Sequence, residues 1–119
     1  MNNERDQLYS HSHFVHQLKN LLKNGDRRIG RFDWSGVQLN WSGRRLQGLN
    51  YVDINFEYAI LNNVNFSNAT FKNCNFSNAK LRGANMVGAI LENCDLTDTD
   101  FTGAILDLHL KNEIKHWLD

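Results

Sequence analysis

The chain has 119 residues, 41% of them apolar, with 13 basic and 13 acidic side chains and no proline. That length suits one domain with a modest core. A zero net charge disfavours direct nucleic-acid binding, which ordinarily calls for a basic surface. No apolar run reaches the roughly 18 residues needed to cross a bilayer. The polar start, Met1 to Asp6, lacks the apolar centre of a secretory signal, so a cytoplasmic protein is expected.

In chain order, the first predicted element is a helix over residues 4–24. It sets Leu8, Phe14, Val15, Leu18, Leu21 and Leu22 on one stripe and stops at Gly25. His11, His13 and His16 sit on it at spacings of two and three. Those spacings do not converge on one side as an i, i+4 pair does, so no metal site and no cofactor are expected. A basic stretch follows: Arg27, Arg28 and Arg31, then Arg44 and Arg45, with Trp34 and Trp41 among them. It can be read as a grip for phosphate or an acidic protein surface. It can equally be read as solvated charge at a junction, with both tryptophans in the core.

From Leu39 a period of five takes over. Every fifth residue from Trp41 is large and apolar: Trp41, Leu46, Tyr51, Phe56, Leu61, Phe66, Phe71, Phe76, Leu81, Met86, Leu91, Leu96, Phe101 and Leu106. At this composition, fourteen such hits in one phase would arise by chance about four times in a million. Two residues before each stands a small or apolar residue, such as Val64, Ala69, Cys74, Ala84 or Cys94, with Arg44 the exception. Between them stands Asn or Asp at Asn40, Asn50, Asn55, Asn65, Asn75, Asn85, Asp95 and Asp100. Residues two apart share one face of an extended segment, so the small and large positions both point inward. The chain must then turn, and Asn63, Asn68, Asn73, Asn78, Gly83, Gly88, Asn93, Asp98 and Gly103 suit tight turns.

Small-Asn-large-x-x, as in Val64-Asn65-Phe66-Ser67-Asn68, strongly resembles the pentapeptide-repeat proteins over residues 39–108. The resemblance implies an all-β solenoid, a right-handed quadrilateral parallel β-helix of about 3.5 coils with four units per coil. Residues 20 apart should then stack: Tyr51, Phe71 and Leu91; Phe56, Phe76 and Leu96; Leu61, Leu81 and Phe101; Phe66, Met86 and Leu106. Cys74 and Cys94 fall beneath Ile54 and are expected to be reduced core thiols. Residues 27–38 look like a partial first coil, in which Phe32-Asp33-Trp34-Ser35-Gly36 is thrown out of register by Val37 and Gln38. Arg44 takes an inward slot, so either the first coil is open there or Arg44 pairs with an acid under the first helix.

A short helix over 108–118 is expected to follow Asp107 as its cap. It carries Leu110, Ile114, Trp117 and Leu118 on one face and covers the last coil, as the first helix covers the other end. His109 and His116 are expected at its surface. Ile60, Ile90 and Ile105 break the polar rule for outward positions but fall on three different sides, with Ile105 expected under the final helix.

No nucleophile motif, phosphate-cradling loop or metal spacing is present, so the chain is read as a non-enzymatic protein-binding or scaffold module. Candidate contact residues are Arg27, Arg28, Arg31, Arg45, Tyr58 and Ile60. Two alternatives come with the resemblance. One is imitation of DNA toward a type II topoisomerase such as gyrase. The other is self-association as a homodimer through the C-terminal end. The first fits poorly, because residues 39–108 hold seven acids and five bases, whereas duplex DNA of similar length carries about ten negative charges.

Overall fold

The computed structural model of the protein describes residues 28–30 and 40–118. The helix expected over 4–24, its three histidines, Arg27, Arg31 and most of 27–38 lie outside the described residues.

Each five-residue unit is built the same way. The large side chain points inward, and two residues later the backbone turns through the left-handed region. Positive φ recurs at eight non-glycine residues and five glycines, every fifth position from Gly43 to Gly103. Asn, Asp and Gly tolerate that conformation best, and twelve of these thirteen positions carry one of them. Tyr58 is the exception, at φ 61°. Across most corners the turn is closed by a bond from the next small residue to the large one, as in Ala59 N–H to Phe56 C=O at 2.9 Å and Ala84 N–H to Leu81 C=O at 3.1 Å.

The turns stack the units into coils. Strands β2 (Asn50–Val52), β3 (Thr70–Lys72) and β4 (Ile90–Glu92) pair in parallel, each residue with the one 20 positions on. Single bridges on the other sides, Asn40 with Ile60, Asn65 with Asn85 and Asn75 with Asp95 among them, keep the same spacing. Twenty residues make four units, so each coil has four sides and the expected columns form. Strand β1 (Arg28–Gly30) pairs in parallel with β2, but Ile29 meets Tyr51, 22 residues on. The stretch between them thus holds two residues more than a regular coil.

Stacking 4.8 Å apart is also the natural spacing of aromatic rings. Tyr51 lies on Phe71 at 4.8 Å and 8°, and Phe56 on Phe76 at 4.8 Å and 13°. Edge contacts from Phe66 to Phe71 and from Phe71 to Phe76 join these columns across the tube. Ten of the twelve residues expected in the core from Tyr51 onward are buried. Phe101 and Leu106 are only half-buried, because they belong to the last coil and no further coil packs above them.

The end is closed by α1 (Leu108–Glu113) and α2 (Lys115–Leu118). The Asp107 carboxylate accepts from Leu110 N–H at 2.9 Å and, with its other oxygen, from Gly88 N–H at 2.6 Å. One side chain therefore starts the helix and fastens it to the coil below. Leu110 and Ile114 are buried, but the helix breaks at Ile114 (φ −103°, ψ 14°), and Trp117 and Leu118 turn outward. The four apolar residues expected on one face are thus split into a buried pair and an exposed pair. Ile105 is not under the helix; it is 53% exposed on the side of the stack.

Candidate functional site

The outside of the tube is a set of side-chain ladders, and the sequence pattern explains how they hold. Wherever Asn or Asp precedes the large residue, its Oδ1 can accept the backbone N–H two positions on. Asn55 serves Glu57 at 2.9 Å, Asn65 serves Ser67 at 2.9 Å, Asn75 serves Ser77 at 2.8 Å and Asn85 serves Val87 at 3.0 Å. Asp95 and Asp100 do the same for Thr97 and Thr102 and also accept the threonine hydroxyl, each at 2.6 Å. Those hydroxyl and backbone bonds hold both carboxyls below the ordinary carboxylate range. The Asn preference of the repeat is thus a local bond that satisfies a turn N–H.

Charge is sorted by side. The side formed by residues 54–58, 74–78 and 94–98 carries Glu57, Asp95 and Asp98 and no cation. The side of 59–63, 79–83 and 99–103 carries Lys80, Arg82 and Asp100, with Arg82 3.7 Å from Asp100. Arg44 and Arg45 stand exposed on the side that includes 64–68 and 84–88. The inward slot expected for Arg44 therefore does not hold it inside: its column takes Val64 and Ala84, and a guanidinium in so small a slot leaves for solvent.

Among the expected contact residues, Arg28 lies in β1. Tyr58 (59% exposed) and the half-buried Ile60 flank one corner, and Arg45 lies on another side. The described ones do not form a single patch. Apolar exposure gathers elsewhere. Of seven exposed large apolar side chains among the described residues, six lie in residues 87–118: Val87, Ile90, Ile105, Leu108, Trp117 and Leu118. Val87 and Ile105 share one side, Leu108 opens α1 three residues after Ile105, and Ile90 lies just past the corner of that side. The five-residue units of the sequence put Val87 and Ile105 on the same side, although in different columns.

Cys74 and Cys94 are both free thiols, stacked in one column at the corner after the strand side. They line an open cleft of about 440 Å³ together with Asn73, Asn75, Asn93, Asp95, Thr97 and Trp117. The mutual thiol contact, and then burial, push the Cys74 thiol up, while the same contact lowers that of Cys94. His109 and His116 are at the surface, His109 being 3.4 Å from Glu113. Among the described residues no three His, Cys, Asp or Glu side chains converge as a metal site would require. Nor is any described helix long and apolar enough to cross a membrane.

Parallel coils of four five-residue units, with ladders outside and an aromatic stack inside, define a β-solenoid. The family described as Pentapeptide repeats matches residues 52–86 and 74–107, in eight copies. The chain is a pentapeptide-repeat protein. No curated protein matches it in sequence.

Two solved structures from the cyanobacterium Nostoc sp. PCC 7120 are similar to it. HetL, a pentapeptide-repeat protein involved in heterocyst differentiation regulation, is 27% identical over 62% of this chain, with a TM-score of 0.58. This chain covers 31% of HetL's length. The pentapeptide-repeat protein alr5209 is 22% identical over 78% of this chain and 75% of its own, with a TM-score of 0.61, and shows the shared fold alone. QnrB1, a plasmid-mediated fluoroquinolone resistance protein, aligns at 15% identity over 70% of this chain and 59% of its own; its TM-score of 0.29 carries no argument.

Proposed function

We propose that this chain is a non-enzymatic protein-binding module whose contact surface lies at the C-terminal end of its stack. The observation that carries this reading is that six of the seven exposed large apolar side chains among the described residues belong to the last coils and their cap, with Val87 and Ile105 on one side and Trp117 beside the cleft on another, against a remainder built of Asn, Asp, Ser and Thr ladders. Exposed apolar side chains concentrated at one end of a molecule favour docking of another protein there. In this reading the solenoid is right-handed, as parallel crossovers overwhelmingly are. It holds about 3.5 coils over 39–108. The partner is a separate protein met in the cytoplasm.

The test uses the full chain immobilised in lysate of its source cell, beside the double variant Ile105→Asp, Leu108→Asp. A partner retained in stoichiometric amount by the native protein and depleted at least about tenfold by the variant supports the reading. Identical capture by both overturns it. Self-association through Trp117 and Leu118 is the second reading, favoured by their exposure on the end cap. Sedimentation at high concentration decides it, since a monomer excludes that reading. Imitation of DNA is disfavoured by charge. Among the described residues, the one side without a cation carries three acids over three coils, where duplex DNA would present roughly eight phosphates. Absence of inhibition in a gyrase supercoiling assay is the expected result.

A further inference from the structure

The corner that holds Cys74 and Cys94 differs from most others. After Tyr51, Phe71 and Leu91 the chain stays extended as strand, and among the described residues no bond from the next small residue closes the turn. The thiols take up part of that bonding. Cys74 Sγ lies 3.6 Å from the Tyr51 carbonyl oxygen, and Cys94 Sγ lies 3.4 Å from that of Phe71, each reaching the coil below. The two cysteines are 20 residues apart in a column whose flanking strands pair in parallel, Phe71 with Leu91 and Lys72 with Glu92. Parallel coils about 4.8 Å apart bring paired Cα atoms inside the window of about 4.4–6.8 Å that a disulfide bridges.

Access is unequal. Cys74 is 2% exposed, whereas Cys94, in the last coil, is half-buried and faces the cleft beside Trp117. A small oxidant entering the cleft thus meets the more exposed Cys94 first, with Cys74 one coil below it on the same cleft wall.

We propose that Cys74 and Cys94 form a hydroperoxide-oxidised dithiol that closes an intrachain crosslink between successive coils. The Cys94 thiolate attacks a hydroperoxide oxygen, the O–O bond breaks, and the alcohol or water leaves, giving a sulfenic acid at Cys94. The Cys74 sulfur then displaces the hydroxyl, which departs as water with the Cys74 proton, and the S–S bond forms. Two electrons pass from the thiol pair to the hydroperoxide. The crosslink ties the coil under the C-terminal cap to the coil below it, so the end of the stack is stiffened by oxidation.

The experiment treats the reduced full-length protein with hydrogen peroxide. Expected are loss of both titratable thiols, an intact mass lower by two hydrogens, no dimer on a non-reducing gel, and a Cys74–Cys94 peptide after digestion. Cys74→Ala should leave Cys94 trapped as a dimedone-reactive sulfenic acid. Cys94→Ala should slow oxidation of Cys74 at least about tenfold. Alanine already fills the equivalent slots at Ala69, Ala79 and Ala84, all buried, so both variants are expected to fold. Thiols that stay titratable in the native protein, over-oxidation of Cys94 with Cys74 intact, or crosslinks only between chains would each overturn the proposal.

Discussion

Phe71 is the side chain whose removal should cost the fold most, and the cost can be worked from its neighbours. It is fully buried and sits at the meeting of four rings. Tyr51 is stacked below at 4.8 Å, Phe66 and Phe76 present edges at 5.0 and 5.2 Å, and Phe56 lies at 6.2 Å. Truncating a buried phenylalanine to alanine costs about 3–5 kcal/mol. Aromatic pairs add about 0.5–1.5 kcal/mol each beyond burial, so Phe71→Ala belongs at the upper end, about 4–5 kcal/mol. The column supplies its own control. Leu91 fills the same slot one coil later, so Phe71→Leu keeps an apolar plug of tolerated shape and should cost about 1–2 kcal/mol. Exposed Lys72→Ala, one residue on, should change stability by less than about 0.5 kcal/mol. Urea unfolding followed by circular dichroism measures all three. A Phe71→Ala loss under about 1.5 kcal/mol, or one equal to that of Phe71→Leu, would mean that the tube is not packed as argued.

Asn75→Ala removes the acceptor of the Ser77 N–H; a loss of about 1 kcal/mol in urea unfolding is expected, and no change would show that water replaces it fully. Tyr58→Asn puts a left-handed-tolerant residue at φ 61°, where other L residues are penalised, and should raise stability by about 0.5–1 kcal/mol; a lower melting temperature would contradict the strain reading. Asp107 has its carboxyl held down first by the Leu110 N–H and then by the Gly88 N–H. A depressed folded-state value stabilises above the unfolded-state pKa of about 3.9 and is lost as pH falls through the lower folded one. The stability gap between native protein and Asp107→Ala, read by thermal melts, should therefore be full near neutrality and shrink under acid; a gap independent of pH would refute the double capping role.

The tube was legible in the sequence because its two strictest demands leave a fixed phase. A large apolar side chain is needed at every fifth position from Trp41 to Leu106, and a left-handed-tolerant residue at nearly every corner from Gly43 to Gly103. Columns such as Tyr51 over Phe71 followed once a coil was taken as four units. What the period hid concerns the ends. A repeat treats every coil as interior, so it places Phe101 and Leu106 in a core that the last coil only half encloses. Helical periodicity likewise lines up Trp117 and Leu118 with Leu110 and Ile114, because it carries no sign of the break at Ile114. The exposure of Ile105 has the same origin: α1 covers the mouth of the tube and not its side. The role of Asn at the position before the large residue was visible as composition, but the bond that explains it needed atoms.

Those bonds also bear on where a partner can take hold. A side-chain amide recognises another protein only with groups it has not already committed. Along the sides, Oδ1 of Asn55, Asn65, Asn75 and Asn85 is held by the chain's own N–H two residues on, and Asp95 and Asp100 each accept two such bonds. A partner that competed for them would give up about 1 kcal/mol per internal bond broken before gaining its own. The ladders that make the solenoid stable thus make its sides reluctant surfaces. The exposed apolar groups of the last coils and the cap, Val87 and Ile105 on one side and Leu108, Trp117 and Leu118 in the helices, can be buried without breaking such a bond, releasing water at about 25 cal/mol per Å². In the proposed reading, the balance between committed polar ladders and uncommitted apolar side chains would direct recognition to the end of the stack, next to the corner where the Cys74–Cys94 pair would stiffen it.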